Sequence, residues 1–165
     1  MYANHFTQAI VFVTIYEWRR GMEALGMAGH LIRRLNQRST QVFTQRMREE
    51  GVDLTSVQFA AMDALATHPG IDQASVAGLI AYDRATIGGV IDRLVSKGYV
   101  AREVSKRDRR AREVRLTPRG QEVFQTILPI VADLQSNILE GLSEAERATF
   151  LSLAAKVVTR DTEDA

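Results

Sequence analysis

There is no cysteine among the 165 residues, which excludes disulfide frameworks, thiolate catalysis, cysteine-rich zinc sites and thiol-based redox sensing. A chain without thiols suits a reducing compartment, and a cytoplasmic location is expected. Long apolar runs are also missing. The longest, Ala9 to Tyr16, is interrupted only by Thr14 and is far shorter than the ~20 residues needed to cross a bilayer. Arg19 and Arg20 follow that run instead of preceding it, the wrong order for a secretory signal, so no membrane partner is expected. Enzyme signatures are lacking too. There is no nucleophile elbow, and the glycines of Ile87-Gly88-Gly89-Val90 lie inside a helical pattern, without the strand-loop-helix context that a phosphate loop requires. No enzymatic activity and no cofactor are expected. His5, His30 and His68 have no ligand-like spacing, so a metal-sensing chain would need carboxylates recruited by the fold.

The content of 45% hydrophobic and 25% charged residues is that of a globular chain, not a disordered or low-complexity one. A chain of this length suits one domain, or one domain with helical extensions, burying roughly 70% of its unfolded surface. From Gly29 to about Glu50, Leu31, Leu35, Val42, Phe43 and Met47 return at helical spacing, and Gly51 supplies a stop. Thr55 and Gln58 form a capping-box pattern for a second helix carried by Val57, Phe59, Met62, Leu65 and Ala66 to the break at His68-Pro69-Gly70. Asp72 can cap a third segment, Gln73 to Ile80, with Val76, Leu79 and Ile80 as its apolar face, and Tyr82 makes the turn. Asp83 then caps a fourth helix to Lys97, terminated by Gly98.

Centring Ile87 on the buried face of that fourth helix puts Val90, Ile91 and Leu94 beside it. The opposite face carries Ala85, Gly88, Gly89, Asp92, Arg93 and Ser96, with Thr86 on its flank. Two adjacent helical glycines cost about 1 kcal/mol each relative to alanine, and close approach of another macromolecule is one compensation. Tyr99 to Val104 and Glu113 to Leu116 read as two strands of a ribbon with a charged tip. Thr117-Pro118 opens a helix running through Val123, Phe124, Ile127, Ile130, Val131, Leu134 and Ile138, with Pro129 expected to kink it. Ser143 and Glu146 form a capping box for a last helix, with Phe150, Leu151, Ala154, Val157 and Val158 facing inward.

Net charge is only +1, but Arg102 to Arg115 holds seven basic residues against three acidic ones. Such a concentration fits an element that touches phosphate; as a charge run alone it reads equally as a solvated loop. The order of parts is that of a winged helix-turn-helix. The major groove, ~12 Å wide, admits one helix whose outer face is small or hydrogen-bonding, while a basic hairpin reaches the neighbouring minor groove. The expected fold is thus mainly α with a small β-wing. A winged helix used only for protein contacts is the competing reading, and it predicts binding insensitive to salt.

Residues 30 to 159 resemble the MarR-type transcriptional regulators. The wing motif Asp-x-Arg-x5-Leu-Thr-x-x-Gly stands here as Asp108-Arg109-Arg110, Leu116-Thr117 and Gly120, and the recognition-helix stretch runs from Asp83 to Val100. The resemblance implies a homodimer with intertwined terminal helices, two winged lobes on pseudo-palindromic double-stranded DNA, and repression relieved by a small ligand. On this reading 1–28 is an N-terminal extension available for dimerisation and 29–52 a dimerisation helix. The DNA-binding lobe spans 53–116, C-terminal dimerisation helices 117–160, and an acidic tail 161–165. DNA contacts fall to Arg84, Ala85, Thr86, Gly88, Gly89, Arg93 and Ser96 on the helix and to Lys106, Arg107, Arg109 and Arg110 on the wing, which Asp108 braces. The stretches Gly29 to Gln37 and Ala81 to Leu94 look like the subset controlling aromatic acid catabolism. That implies an aromatic carboxylate effector, whose desolvation a cation or imidazole must offset; His30, Arg33 and Arg34 are the candidates, with ion pairing as their alternative role. A member answering to a metal or a non-acid ligand is the remaining alternative.

Overall fold

The computed structural model describes residues 24–104 and 112–159. The chain forms two compact units, Met1–Ser39 and Thr40–Ala165. In the first, a 3-10 turn at Ala24–Gly26 leads into helix α1, Ala28–Glu49, which continues into the second. The predicted apolar stripe of α1 is buried only toward its end. Leu31 is 45% exposed and Leu35 half-buried in the first unit, whereas Phe43 and Met47 are buried in the core of the second.

That core is built by α2 (Ser56–Thr67), α3 (Gln73–Leu79), α4 (Ile87–Ser96) and α5 (Pro118–Asp133) around a small sheet. Met47, Met62, Leu65, Ile87, Ile91, Leu94, Ile127, Val76 and Val114 are its largest fully buried side chains. Phe59 ties three helices together: its ring lies 6.0 Å from Phe43 of α1 and 5.4 Å, stacked, from Phe124 of α5. In α2 the buried small residues are Ala61 and Ala64, while Ala66 is exposed. The Thr55–Gln58 capping box is present as predicted. Gln58 is nevertheless buried, its Oε1 accepting from the Thr55 N–H and from Lys97 Nζ, both at 3.2 Å.

Several expectations need correction. The ribbon of β2 (Val100–Val104) and β3 (Arg112–Leu116) is joined by β1 (Ile71–Asp72), giving an antiparallel sheet in the order β1-β3-β2. Two residues, the second of them the cap of α3, carry too little alternation to be read as a strand. Val76 is buried as expected, but Leu79 is 53% exposed, because α3 turns Ala77 to the core in its place. The regular part of α4 starts at Ile87, so Arg84, Ala85 and Thr86 form an entrance turn that Asp83 holds. The helix after Thr117 ends at Asp133, and a separate short α6, Gln135–Ile138, follows. Helix α7, Glu144–Thr159, keeps its capping box but buries no residue. Leu151, Val157 and Val158 are 58%, 68% and 66% exposed, with Phe150 and Ala154 half-buried. These side chains share one side of the helix, and no described residue covers it.

The turn between α3 and α4 pivots on Ala81 at φ +50°, not on Tyr82. Ala81 and Tyr82 donate their N–H groups to the Gly78 and Ala77 carbonyls at 3.3 and 2.8 Å. This is the same helix-ending arrangement that glycine makes at Gly51 and Gly98. Alanine there stores left-handed strain of about 1–2 kcal/mol. Ala81→Gly is expected to stabilise the protein by up to about 1 kcal/mol after the added chain entropy; an unchanged or lower urea midpoint would refute that strain.

Candidate DNA-binding surface

Helix α4 is two-sided. Ile87, Val90, Ile91 and Leu94 are buried, while Gly89, Asp92, Arg93 and Ser96 are exposed and Gly88 is half-buried. A Cβ built on either glycine meets nothing within 4 Å, so no packing among the described residues requires these two positions to be bare. Ahead of the helix, Asp83 Oδ1 accepts from the Ala85 and Thr86 N–H groups at 2.9 and 3.0 Å, and its carbonyl accepts from the Ile87 N–H at 3.0 Å. Arg84, Ala85 and Thr86 are thereby held exposed at the helix entrance. Ser96 Oγ donates to the Asp92 carbonyl at 2.9 Å, which leaves its oxygen lone pairs available outward.

The surroundings fix where this surface points. Asp72 caps α3 by accepting from the Ser75 N–H at 2.7 Å. That backbone bond, then the Ser75 hydroxyl, holds its carboxyl below the ordinary range, with a small further pull from the Arg84 guanidinium. At the far end of α4, Lys97 Nζ pairs with Asp53 Oδ2 at 2.9 Å and also donates to the Asp53 carbonyl and to Gln58. This ties the helix end to the loop before α2. On the outer face of the ribbon Glu103 lies directly opposite Glu113, a repulsive pairing. Arg115 Nη2 reaches both, at 3.3 and 3.5 Å, and offsets it.

Of the predicted DNA contacts, Arg84, Ala85, Thr86, Gly88, Gly89, Arg93 and Ser96 share the surface of α4 and its entrance turn. Lys106, Arg107, Asp108, Arg109 and Arg110 lie outside the described residues. The predicted effector residues sit on α1. Arg33 Nη2 is 3.3 Å from His30 Nδ1. His30 is half-buried; Arg33 and Arg34 are exposed. Sequence reasoning assigned no role to Arg102, Gln73 or Lys97. For Arg102 the signal was available: in the alternation Val100, Arg102, Val104 it occupies a core-facing position.

Among the described residues no group of three His, Cys, Asp or Glu side chains is placed to hold a metal, and no helix is long and apolar enough to cross a membrane. A bare-faced helix beside a three-stranded sheet, preceded by the helices α2 and α3, defines a winged helix-turn-helix protein.

The signature of the MarR family matches residues 54–111. The HTH-type transcriptional repressor NicR of Pseudomonas putida is 32% identical over 133 residues, covering 81% of this chain and 83% of NicR. Among solved structures, Bordetella bronchiseptica BpsR, whose DNA binding is regulated by 6-hydroxynicotinic acid, superposes with a TM-score of 0.75 at 31% identity, covering 82% of this chain and 96% of BpsR. Streptomyces coelicolor PcaV in complex with its natural ligand gives a TM-score of 0.74 at 29% identity, covering 84% and 96%. The chain belongs to the MarR family, and these relatives are transcriptional regulators.

Proposed function

We propose that this chain is a cytoplasmic, non-enzymatic transcriptional repressor that binds a pseudo-palindromic operator as a homodimer and is released by a small aromatic carboxylate. The observation that carries the reading is α4, with four buried aliphatic side chains behind a glycine-bearing, unobstructed outer face. That face fits the floor of a major groove, with Arg84 and Thr86 at the entrance and Arg93 toward backbone or base edges. Lys106, Arg107, Arg109 and Arg110 serve the wing, with Arg110 in the minor groove and Asp108 as brace. The exposed apolar side chains of α7 are the surface offered to the second copy, together with the terminal helices and the segment over 1–28. Two lobes must then lie about 34–36 Å apart to meet successive half-sites, and an effector that favours another spacing releases the DNA. His30, Arg33 and Arg34 are the groups proposed to receive the carboxylate. The DNA binding of BpsR under 6-hydroxynicotinic acid supports that ligand class.

Selection of bound duplexes from a random pool, followed by titration with benzoate and pyridine carboxylates, tests the proposal. Log affinity should fall with log salt by roughly 0.9 per phosphate contact, and Arg110→Ala should cost about 1–3 kcal/mol on the selected site. Salt-insensitive binding, or no preference for any duplex, rejects DNA recognition. Failure of every acid to displace the duplex rejects only the effector class.

A further inference from the structure

The core-facing side of the ribbon carries two charged residues, Arg112 at its outer end and Arg102 next to its buried base. Register sets Val100 opposite Leu116, Arg102 opposite Val114 and Val104 opposite Arg112. Val114 is fully buried, and paired residues of an antiparallel ladder project to the same side, so Arg102 points at the helices. There Arg102 Nη2 lies 2.6 Å from Asp92 Oδ1 on α4. With the amide of Gln73 in the orientation that pairs donor with acceptor, the oxygen of this first residue of α3 accepts from Nη2 at 2.7 Å and from Nε at 3.3 Å. One guanidinium joins the ribbon to both helices of the helix-turn-helix.

We propose that Arg102 is a positioning residue for DNA binding: it fixes the angle between the ribbon and α4, so that both elements engage one duplex together. The inference rests on the DNA-binding reading above. Past Val100, no residue of β2 is buried, so the core grips only the base of that strand, and the clamp supplies a second anchor two residues further out. The pair adds little stability, because the Asp92 side chain is 64% exposed and exposed ion pairs are weak. Both Nη2 hydrogens and the Nε hydrogen are engaged by Asp92 and Gln73, which leaves only Nη1 to donate elsewhere. Asp92 stands on the face offered to DNA, and left bare its charge would repel phosphate.

Two variants separate positioning from charge, read by affinity for the selected duplex and by hydroxyl-radical footprinting. Asp92→Ala removes a negative charge from the DNA-facing side, so electrostatics alone predicts tighter binding, whereas loss of the clamp predicts about tenfold weaker binding. Arg102→Lys keeps the charge but cannot span both partners with a planar fork. It should lose protection of the flanking minor groove while central protection and the thermal midpoint are retained. Asp92→Ala binding as tightly as the parent or tighter, or Arg102→Lys keeping its flanking protection, overturns the role and leaves DNA binding standing. A variant that no longer melts cooperatively assigns the clamp to folding and overturns it equally. A parent chain that prefers no duplex over competitor fails at the proposed function itself.

Discussion

Gly120→Ala is expected to destabilise the winged lobe by about 3 kcal/mol or more, beyond the usual cost of an added methyl group. A Cβ on Gly120 would lie 1.9 Å from the Tyr99 carbonyl oxygen and 2.8 Å from its carbon. That carbonyl cannot step aside freely, since it accepts from the Thr117 N–H at 3.0 Å. Thr117 is itself committed, its hydroxyl donating to the Gly98 carbonyl at 2.7 Å while accepting from the Gly120 N–H at 3.0 Å. Relief of the clash therefore means pulling the start of α5 away from the start of β2, which opens the Val100–Leu116 pair and the core behind it. Urea unfolding measures the loss. Gly29→Ala in α1, where a new Cβ meets nothing within 4 Å, is the control and should be neutral or slightly stabilising. A midpoint for Gly120→Ala close to the parent's would mean that this junction yields, and the account of it would be wrong.

This junction gives a physical meaning to a motif that is visible in the sequence. Leu116, Thr117 and Gly120 were legible as a pattern; that the threonine caps α5 while the glycine admits a carbonyl is a fact of packing. Elements announced by chemically distinct ends were readable throughout, as at Thr55 with Gln58, Asp72, Thr117-Pro118 and Ser143 with Glu146. What escaped depended on tertiary context. The strand β1 exists only because β3 runs beside Ile71 and Asp72. The positive φ of Ala81 is imposed by the closure of α3 against α4, and no local residue type signals it. The inward prediction for α7 grouped the apolar side chains correctly, yet among the described residues Leu151, Val157 and Val158 stay exposed and Phe150 and Ala154 are half-buried. At the candidate site the bare face of α4 was readable from rotation about Ile87, whereas the Arg102 clamp required the strand register.

Stability and DNA affinity should move in opposite directions when the glycines of α4 are filled. A Cβ at Gly88 or Gly89 meets nothing within 4 Å, so Gly88→Ala/Gly89→Ala should be stabilised by up to about 1 kcal/mol per site through helix propensity alone. If the bare surface exists to let the helix sit deep in a groove, the same change weakens binding to the selected duplex. A bulkier Gly89→Leu should weaken it by about 10- to 100-fold, the range of one or two lost contacts. The loss should fall on specific binding, because a helix that rides higher in the groove forfeits base edges, while contacts to phosphate survive with little change in their salt slope. Denaturation and fluorescence anisotropy on the same preparations read the two effects separately. Affinity unaltered in Gly89→Leu would show that this face does not approach the bases, and the placement of α4 in the major groove would have to be abandoned even if the protein still bound DNA.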